Sequence, residues 1–133
     1  MSWRRDLNPE LGSPGEARAV VRDACLAWSV DDDVRDDAEL VVNELVANVV
    51  DHAGTRCTLD VTATDDGLLI GVRDFYPSPP LHPPPIDPTA RRGRGLQVIA
   101  AVSARWGMTS LPDGKCIWAL LAWDSPTTVL HVR

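Results

Sequence analysis

Three polar side chains recur at every fourth position of the otherwise apolar segment NELVANVVDH, residues 43–52: Glu44, Asn48 and His52. Positions four apart lie one turn apart on a helix, so their side chains reach neighbouring points. An amide oxygen is a hard ligand that suits Mg²⁺, which keeps several waters and adds substrate phosphates. A nearby carboxylate can accept a proton from a hydroxyl or a water. The alternative interpretation is an ordinary solvated helix face, which is common for a Glu and Asn pair.

Two other short segments carry groups that suit a nucleotide. In RRGRGL, residues 91–96, two glycines stand at the start of a predicted helix, so the backbone can approach a ligand closely and its free N–H groups point outward. Arg91, Arg92 and Arg94 add positive charge, which indicates an anion site, although a plain loop-to-helix turn has the same pattern. Asp74 ends the apolar run LLIGVRD, where a carboxylate can accept a hydrogen bond from an exocyclic amine such as that of adenine.

The elements that position these groups can be predicted from hydrophobic periodicity. A first helix is expected over 14–28, opened by a capping box of Ser13 and Glu16. A second is expected over 34–53, closed by Gly54. On the second helix the apolar residues gather on one arc, whereas Glu44 and Asn48 lie on the opposite side and His52 lies toward the edge of the arc.

After residue 54 the hydrophobic period changes from 3.6 to 2, which predicts strands. TRCTLDVTAT and LLIGVRD form a hairpin around the turn at 65–67, and RWGMTSL and CIWALLAW form another around PDGK. A third helix is predicted over 95–104, and TTVLHV is either an edge strand or a frayed tail. Seven of the 11 prolines fall between 77 and 88, so that loop is predicted to be extended and stiff. The order α-α-β-β-loop-α-β-β predicts a two-layer α+β sandwich.

Composition narrows the class of protein further. A chain of 133 residues with 44% hydrophobic and 24% charged residues suits one globular domain. A formal charge of -6 and a pI near 4.9 argue against direct binding of nucleic acid. No apolar run is long enough to span a membrane and no export signal is recognised, so the cytoplasm is expected. The three cysteines are widely spaced, which favours buried structural thiols over a zinc site.

Taken in order, these motifs resemble a known family. ELVVNELVANVVDHAG, VRD, GRGLQVIAAVSARWG and GKCIWALL are similar to the ATP-binding domain of the GHKL superfamily, shared by gyrases and histidine kinases. More narrowly, they resemble the stand-alone anti-sigma factor serine/threonine kinases of bacteria. The resemblance covers roughly 14–122. It implies one ATP-binding domain over 1–133, a mostly antiparallel mixed sheet with helices on one face, and an ATP lid over about 75–92.

The resemblance also implies roles for individual residues. Asn48 corresponds to the Mg²⁺-chelating Asn and Glu44 to the proposed general base. Asp74 corresponds to the residue that reads the adenine amine. The nucleotide-binding second glycine box corresponds to Gly93, Arg94, Gly95 and Leu96. Further candidates are His52, as a buttress of the loop, Arg92 beside the phosphates, and Lys115, as either a phosphate contact or a surface turn residue.

The implied activity is phosphorylation, with ATP and Mg²⁺, of a serine or threonine on an anti-sigma antagonist of the STAS type. Relatives of this kind also bind a sigma factor and commonly dimerise, so a homodimer is expected. The chain departs from the family pattern at DFYPSPP, where Phe75 and Tyr76 stand in place of expected glycines. These aromatics either pack on the adenine or anchor the loop, and packing is the more common role beside prolines. The altered segment favours the alternative of a non-catalytic nucleotide-binding or partner-sequestering module.

Overall fold

The computed structural model describes residues 1–76 and 91–123. In chain order the elements are β1 (Ser2–Leu7), α1 (Ser13–Ala27), α2 (Asp32–Asn48), a π-helical turn (Val49–Ala53), β2 (Cys57–Ala63), β3 (Gly67–Asp74), α3 (Arg91–Val102), β4 (Arg105–Leu111) and β5 (Gly114–Ala122). The helices pack on one face of the sheet with α2 in the middle, against α1 on one side and α3 on the other. The predicted two-layer α+β sandwich is therefore confirmed.

The sheet has the strand order β1-β2-β3-β5-β4 in the described part of the chain. Both predicted hairpins form, with β2 against β3 and β4 against β5. The second hairpin closes through the two residues Pro112 and Asp113. Each of the four strand pairings is antiparallel, so the expectation of a mixed sheet is wrong for the strands that the structure describes.

Strand β1 was not predicted, and it extends the ordered core beyond the expected start at residue 14. Its residues pair with β2 from Ser2 opposite Thr62 to Leu7 opposite Cys57. Within SWRRDL only Trp3 and Leu7 are apolar, which is too weak an alternation to indicate a strand. The segment is extended because β2 offers it a row of backbone partners, a long-range cause that local periodicity does not carry.

The helix starts differ from the prediction in their capping. The expected capping box at α1 is wrong: Ser13 Oγ donates to the carbonyl of Asn8, and Glu16 pairs with Arg5 of β1 at 3.0 Å. Both side chains are thus used in tertiary contacts, and Gly12 is the N-cap residue without a side-chain bond. Helix α2 begins at Asp32, two residues before the predicted start.

The end of α2 has an irregularity that periodicity did not predict. The α-helix stops at Asn48 and continues as the π-helical turn, in which the chain winds more widely. Gly54 then ends it with a left-handed φ of 63°, which confirms its predicted role as the closing glycine. Glu44 and Asn48 therefore lie in the α-helix, whereas His52 lies in the π-helical turn that follows it.

The core lies between α1, α2, α3 and the helix-facing side of the sheet. Alternate residues of the strands point into it, and they include Leu59, Leu68 and Ile70, none of which is exposed. Full burial of one such side chain stabilises the fold by about 1.5–3 kcal/mol. The third helix begins at Arg91, four residues before its predicted start. Most of the predicted lid, 75–92, and the predicted TTVLHV strand lie outside the described residues.

Candidate functional site

The two polar residues predicted on α2 lie close to Gly95 of α3, and we refer to the space around these three residues as the gap. Glu44 and Asn48 are half-buried, and Gly95 of α3 is buried beside them. A Cβ atom at Gly95 would lie 3.2 Å from Glu44 Oε1 and 3.5 Å from both Oδ1 and Nδ2 of Asn48. The structure therefore brings the predicted acid, the predicted amide and the second glycine of RRGRGL to one place. Glycine is needed there because α3 comes so close to these two side chains.

A chain of hydrogen bonds from α1 fixes the orientation of Glu44. Arg18 donates to Asn43 Oδ1, and Asn43 Nδ2 donates to Glu44 Oε2 at 3.2 Å. Since a guanidinium has only donors, the Asn43 oxygen faces Arg18 and its NH₂ group faces Glu44. One oxygen of Glu44 is thereby held, and the other, Oε1, points toward Gly95. Neither Arg18 nor Asn43 was predicted as a site residue. Asn43 precedes Glu44 in the same segment, but no local signal links it to Arg18.

The predicted base-reading carboxylate lies at the end of β3, on the helix-facing side of the sheet. Asp74 is 1% exposed. Its Oδ1 accepts the backbone N–H groups of Tyr76 at 3.3 Å and Lys115 at 3.1 Å, and its Oδ2 accepts the ammonium group of Lys115 at 2.5 Å. Gly114 packs so tightly on the end of β3 that a Cβ there would lie 2.1 Å from the carbonyl oxygen of Asp74. Lys115 thus makes an ion pair within the site, a role that neither of the two sequence-based interpretations included.

The aromatic pair after Asp74 divides into one anchored and one exposed residue. Guanidinium groups of Arg56 and Arg73 lie 3.8 and 4.3 Å from the centroid of the Phe75 ring. The Phe75 N–H also donates to Thr55 Oγ1 at 3.1 Å. These cation–π and hydrogen-bond contacts hold Phe75 as an anchor of the segment. Tyr76, in contrast, is 50% exposed.

The remaining candidates belong to α3 and to the π-helical turn after α2. Gly93, Arg92 and Arg94 belong to the first turn of α3, whose first four N–H groups have no partner within the helix. Leu96 packs against the core as a partly buried residue. His52 is exposed in the π-helical turn. The helix starts at Arg91 instead of residue 95, so Gly95 lies inside the helix and not at its first position.

Two of the cysteines are buried core residues. Burial raises the pKa of the Cys25 and Cys57 thiols to about 11, and the Asp74 carboxylate adds to the effect at Cys57. A thiol with such a pKa stays protonated near neutral pH, whereas the thiolate is the nucleophile and metal ligand. Within 1–76 and 91–123, no group of three or more His, Cys, Asp or Glu residues is arranged to hold a metal ion.

The chemistry of the gap suits a magnesium ion that is shared with phosphates. The amide oxygen of Asn48 is the candidate metal ligand, and the Glu44 carboxylate lies beside it near Gly95. Mg²⁺ prefers such hard oxygen ligands, and it takes few from the protein because it keeps waters and binds phosphate oxygens. The N-terminal N–H groups of α3 are of the kind that bind anions. The residues present therefore fit a metal-bound polyphosphate beside α2 and α3.

Residues 7–121 match the family model described as the histidine kinase-like ATPase domain. An uncharacterized protein of Streptomyces coelicolor is 34% identical over 89 residues, which are 64% of this chain and 85% of that protein. No helix within 1–76 or 91–123 combines the length and the apolar character that crossing a membrane requires.

The fold is similar to that of a crystal structure of the RsbU and RsbW domains of a Mycobacterium tuberculosis protein. The TM-score is 0.72 and the sequence identity is 14%. The match covers 92% of this chain but only 32% of the longer chain. At this identity the likeness shows a common fold.

Proposed function

We propose that this chain, which belongs to the family of histidine kinase-like ATPase domains, binds ATP and transfers the γ-phosphoryl group of Mg·ATP to a protein serine or threonine. The observation that carries the proposal is the convergence of Glu44 Oε1 and Asn48 on Gly95, at 3.2 and 3.5 Å from a Cβ position there. An acid for the acceptor hydroxyl and an amide ligand for the metal thus share one gap. A solvated helix face would not require a buried glycine opposite both groups.

In the proposed reaction the acceptor hydroxyl oxygen bonds to the γ-phosphorus, and the bond from that phosphorus to the β–γ bridging oxygen breaks. ADP leaves, and the hydroxyl proton passes to Glu44. Mg²⁺ supplies neutralisation of the phosphate charge when bound, and Asn48 would hold it. Phosphoryl transfer depends mainly on positioning and electrostatics. The bond from Asn43 supports this role because it holds one Glu44 oxygen and directs the other toward the gap.

Asp74 is the proposed acceptor for the adenine amine. Its burial, with 1% exposure, excludes water and strengthens any hydrogen bond that it makes to a base. Gly93, Arg94, Gly95 and Leu96 are proposed to line the phosphates, with Arg92 beside them. These assignments rest on the resemblance in motif order and on the fit of the gap to a metal-bound polyphosphate.

The proposed phosphoacceptor is an anti-sigma antagonist of the STAS type, and a sigma factor is the other proposed partner. The similarity in fold to a structure containing an RsbW domain supports a regulator of this kind. A homodimer is proposed because the chain resembles the anti-sigma factor kinases, which commonly dimerise. The alternative, a nucleotide-binding module that sequesters its partner without phosphorylating it, predicts ATP binding with no transfer.

The test combines calorimetric titration of Mg·ATP with transfer of radiolabelled γ-phosphate to candidate STAS-domain proteins. We expect Glu44→Gln to retain ATP binding and to lose transfer by about 10²- to 10⁴-fold, the usual contribution of a positioned general base. Asn48→Ala should weaken Mg·ATP binding. Glu16→Gln, which removes an exposed carboxylate of α1, is the matched control and should change neither quantity.

Each outcome separates the candidates. Absence of ATP binding with and without Mg²⁺ would overturn the nucleotide site altogether. Binding without labelled product for any cognate STAS-domain protein would favour the sequestering module. Full transfer activity in Glu44→Gln would remove Glu44 from the reaction while leaving the kinase intact.

A further inference from the structure

Lys115 is the only lysine among the 13 Lys and Arg residues of the chain, and it lies at the proposed base-reading carboxylate. The β3–β5 register pairs Arg73 with Cys116, so the next positions, Asp74 and Lys115, lie opposite each other on the same face of the sheet. Their pairing follows from the strand register, because cross-strand neighbours on one face have their side chains in contact.

The two oxygens of Asp74 have different partners. Backbone N–H groups of Tyr76 and Lys115 bind Oδ1 at 3.3 and 3.1 Å. The Lys115 ammonium binds Oδ2 at 2.5 Å, and this side chain is 28% exposed while that of Asp74 is 1% exposed. The backbone thus leaves Oδ2 to a side chain or a ligand, and in this structure Lys115 holds it.

We infer that Lys115 competes with the nucleobase for Asp74 and thereby sets both the affinity for ATP and the choice of purine. This inference rests on the proposed function, in which Asp74 reads the adenine amine. An ammonium has three donors and no acceptor, and the adenine amine is also a donor, so both seek the same oxygen. Because the Asp74 side chain is only 1% exposed with Lys115 in place, the adenine amine can approach Oδ2 only when the Lys115 side chain moves aside.

A purine with a carbonyl at the same position has the opposite requirement. The 6-oxo group of hypoxanthine is an acceptor, so it can receive a hydrogen bond from the ammonium while the ion pair stays intact. Lys115 should therefore reduce the difference between the affinities for ATP and for ITP. It weakens binding of the adenine amine, and it can donate a hydrogen bond to the carbonyl of hypoxanthine. Apparent affinity falls in proportion to the fraction of protein in the binding-competent state. For a hydrogen bond between charged groups, we expect an effect of about tenfold on ATP binding.

The test measures the affinities for Mg·ATP, Mg·ITP and inorganic tripolyphosphate in the wild type and in Lys115→Met, which keeps the length of the side chain without its donors. We expect ATP to bind about tenfold more tightly to the variant, ITP to bind no more tightly, and tripolyphosphate to remain within twofold. Arg105→Met, at an exposed position of β4, controls for the loss of one positive charge and should change the three affinities equally.

A second measurement does not depend on the folding of a variant. Wild-type protein labelled with ¹⁵N-lysine gives a single backbone amide signal, and that N–H donates to Asp74 Oδ1. ATP should shift this signal strongly, whereas tripolyphosphate should leave it in place.

Several results would overturn the inference. If ATP binds the wild type and the ratio of ATP to ITP affinity is unchanged in Lys115→Met, Lys115 is not a competitor, although the nucleotide site stands. Weaker binding of tripolyphosphate and ATP together would make Lys115 a phosphate contact instead. If neither protein binds any nucleotide, the proposed function fails and this inference fails with it.

Discussion

Substitution of Gly95 by alanine should separate the stability of the fold from its capacity to bind nucleotide. Gly95 is within α3, and its φ is not in the left-handed region, so alanine can adopt the same backbone. Alanine in a helix is about 0.5–1 kcal/mol more favourable than glycine. The added methyl would lie 3.2 Å from Glu44 Oε1, a tight contact with the end of a flexible side chain that can shift by a few tenths of an ångström. We therefore expect the free energy of unfolding to change by less than about 1 kcal/mol.

The effect on binding should be much larger. The same methyl fills the gap that the proposed metal-bound phosphates need, 3.5 Å from both polar atoms of the Asn48 amide. Loss of one hydrogen bond to a charged group costs about 1.5–3 kcal/mol, which corresponds to roughly 10- to 150-fold in the dissociation constant. Calorimetric titration of Mg·ATP and urea unfolding, both on Gly95→Ala, measure the two quantities.

Gly71→Ala provides the matched control. A Cβ at Gly71 would make an ordinary contact, 3.7 Å from Cys116 Sγ, on the face of the sheet that carries no helix. This variant should bind Mg·ATP like the wild type. Two results would refute the reasoning for Gly95: binding within twofold of the wild type, or losses of binding and stability that run in parallel, since the latter would indicate a general disruption of α3.

Three further predictions concern other parts of the molecule. Gly114→Ala should destabilise the fold by about 2 kcal/mol or more in urea unfolding, because its Cβ would lie 2.1 Å from a backbone oxygen. Gly12→Ala is the control: a Cβ at Gly12 has open space around it, so this variant should change stability by less than about 1 kcal/mol. Asn43→Ala should lower phosphoryl transfer more than ATP affinity, because it removes the bond to Glu44; equal losses in both would contradict a positioning role. Burial raises the pKa of the Cys57 thiol from 9.0 to about 11 in the folded protein. Between pH 9 and 11 the thiol ionises in the unfolded chain but not in the folded one, so the free energy of unfolding should fall over this range, and it should fall less in Cys57→Ala.

The hairpins and helices followed from local patterns, and for that reason the sequence could predict them. Period 2 after residue 54 and the closing role of Gly54 depend only on neighbouring residues, and the structure confirms both. The separation of Glu44 and Asn48 from the apolar side of α2 is likewise a property of helix geometry. The order of the motifs along the sequence also predicted ATP as the ligand, because that order resembles a family of ATP-binding domains.

What the sequence could not decide depends on contacts between distant residues. Strand β1 exists because β2 pairs with it, and Ser13 and Glu16 left their expected capping roles because partners in the preceding segment, Asn8 and Arg5, bind them. The π-helical turn that contains His52 is likewise absent from the uniform helix that periodicity predicts.

The polar contacts of the site are the clearest example of features that depend on distant residues. Nothing local marks Lys115 as the partner of Asp74, since the two are 41 residues apart and meet only through the β3–β5 register. Arg18 reaches Asn43 only because α1 packs on α2. The sequence by itself determined which chemical groups are present and on which side of their helix or strand they lie. The tertiary structure decided which of them touch, because register and helix packing are set by the whole core.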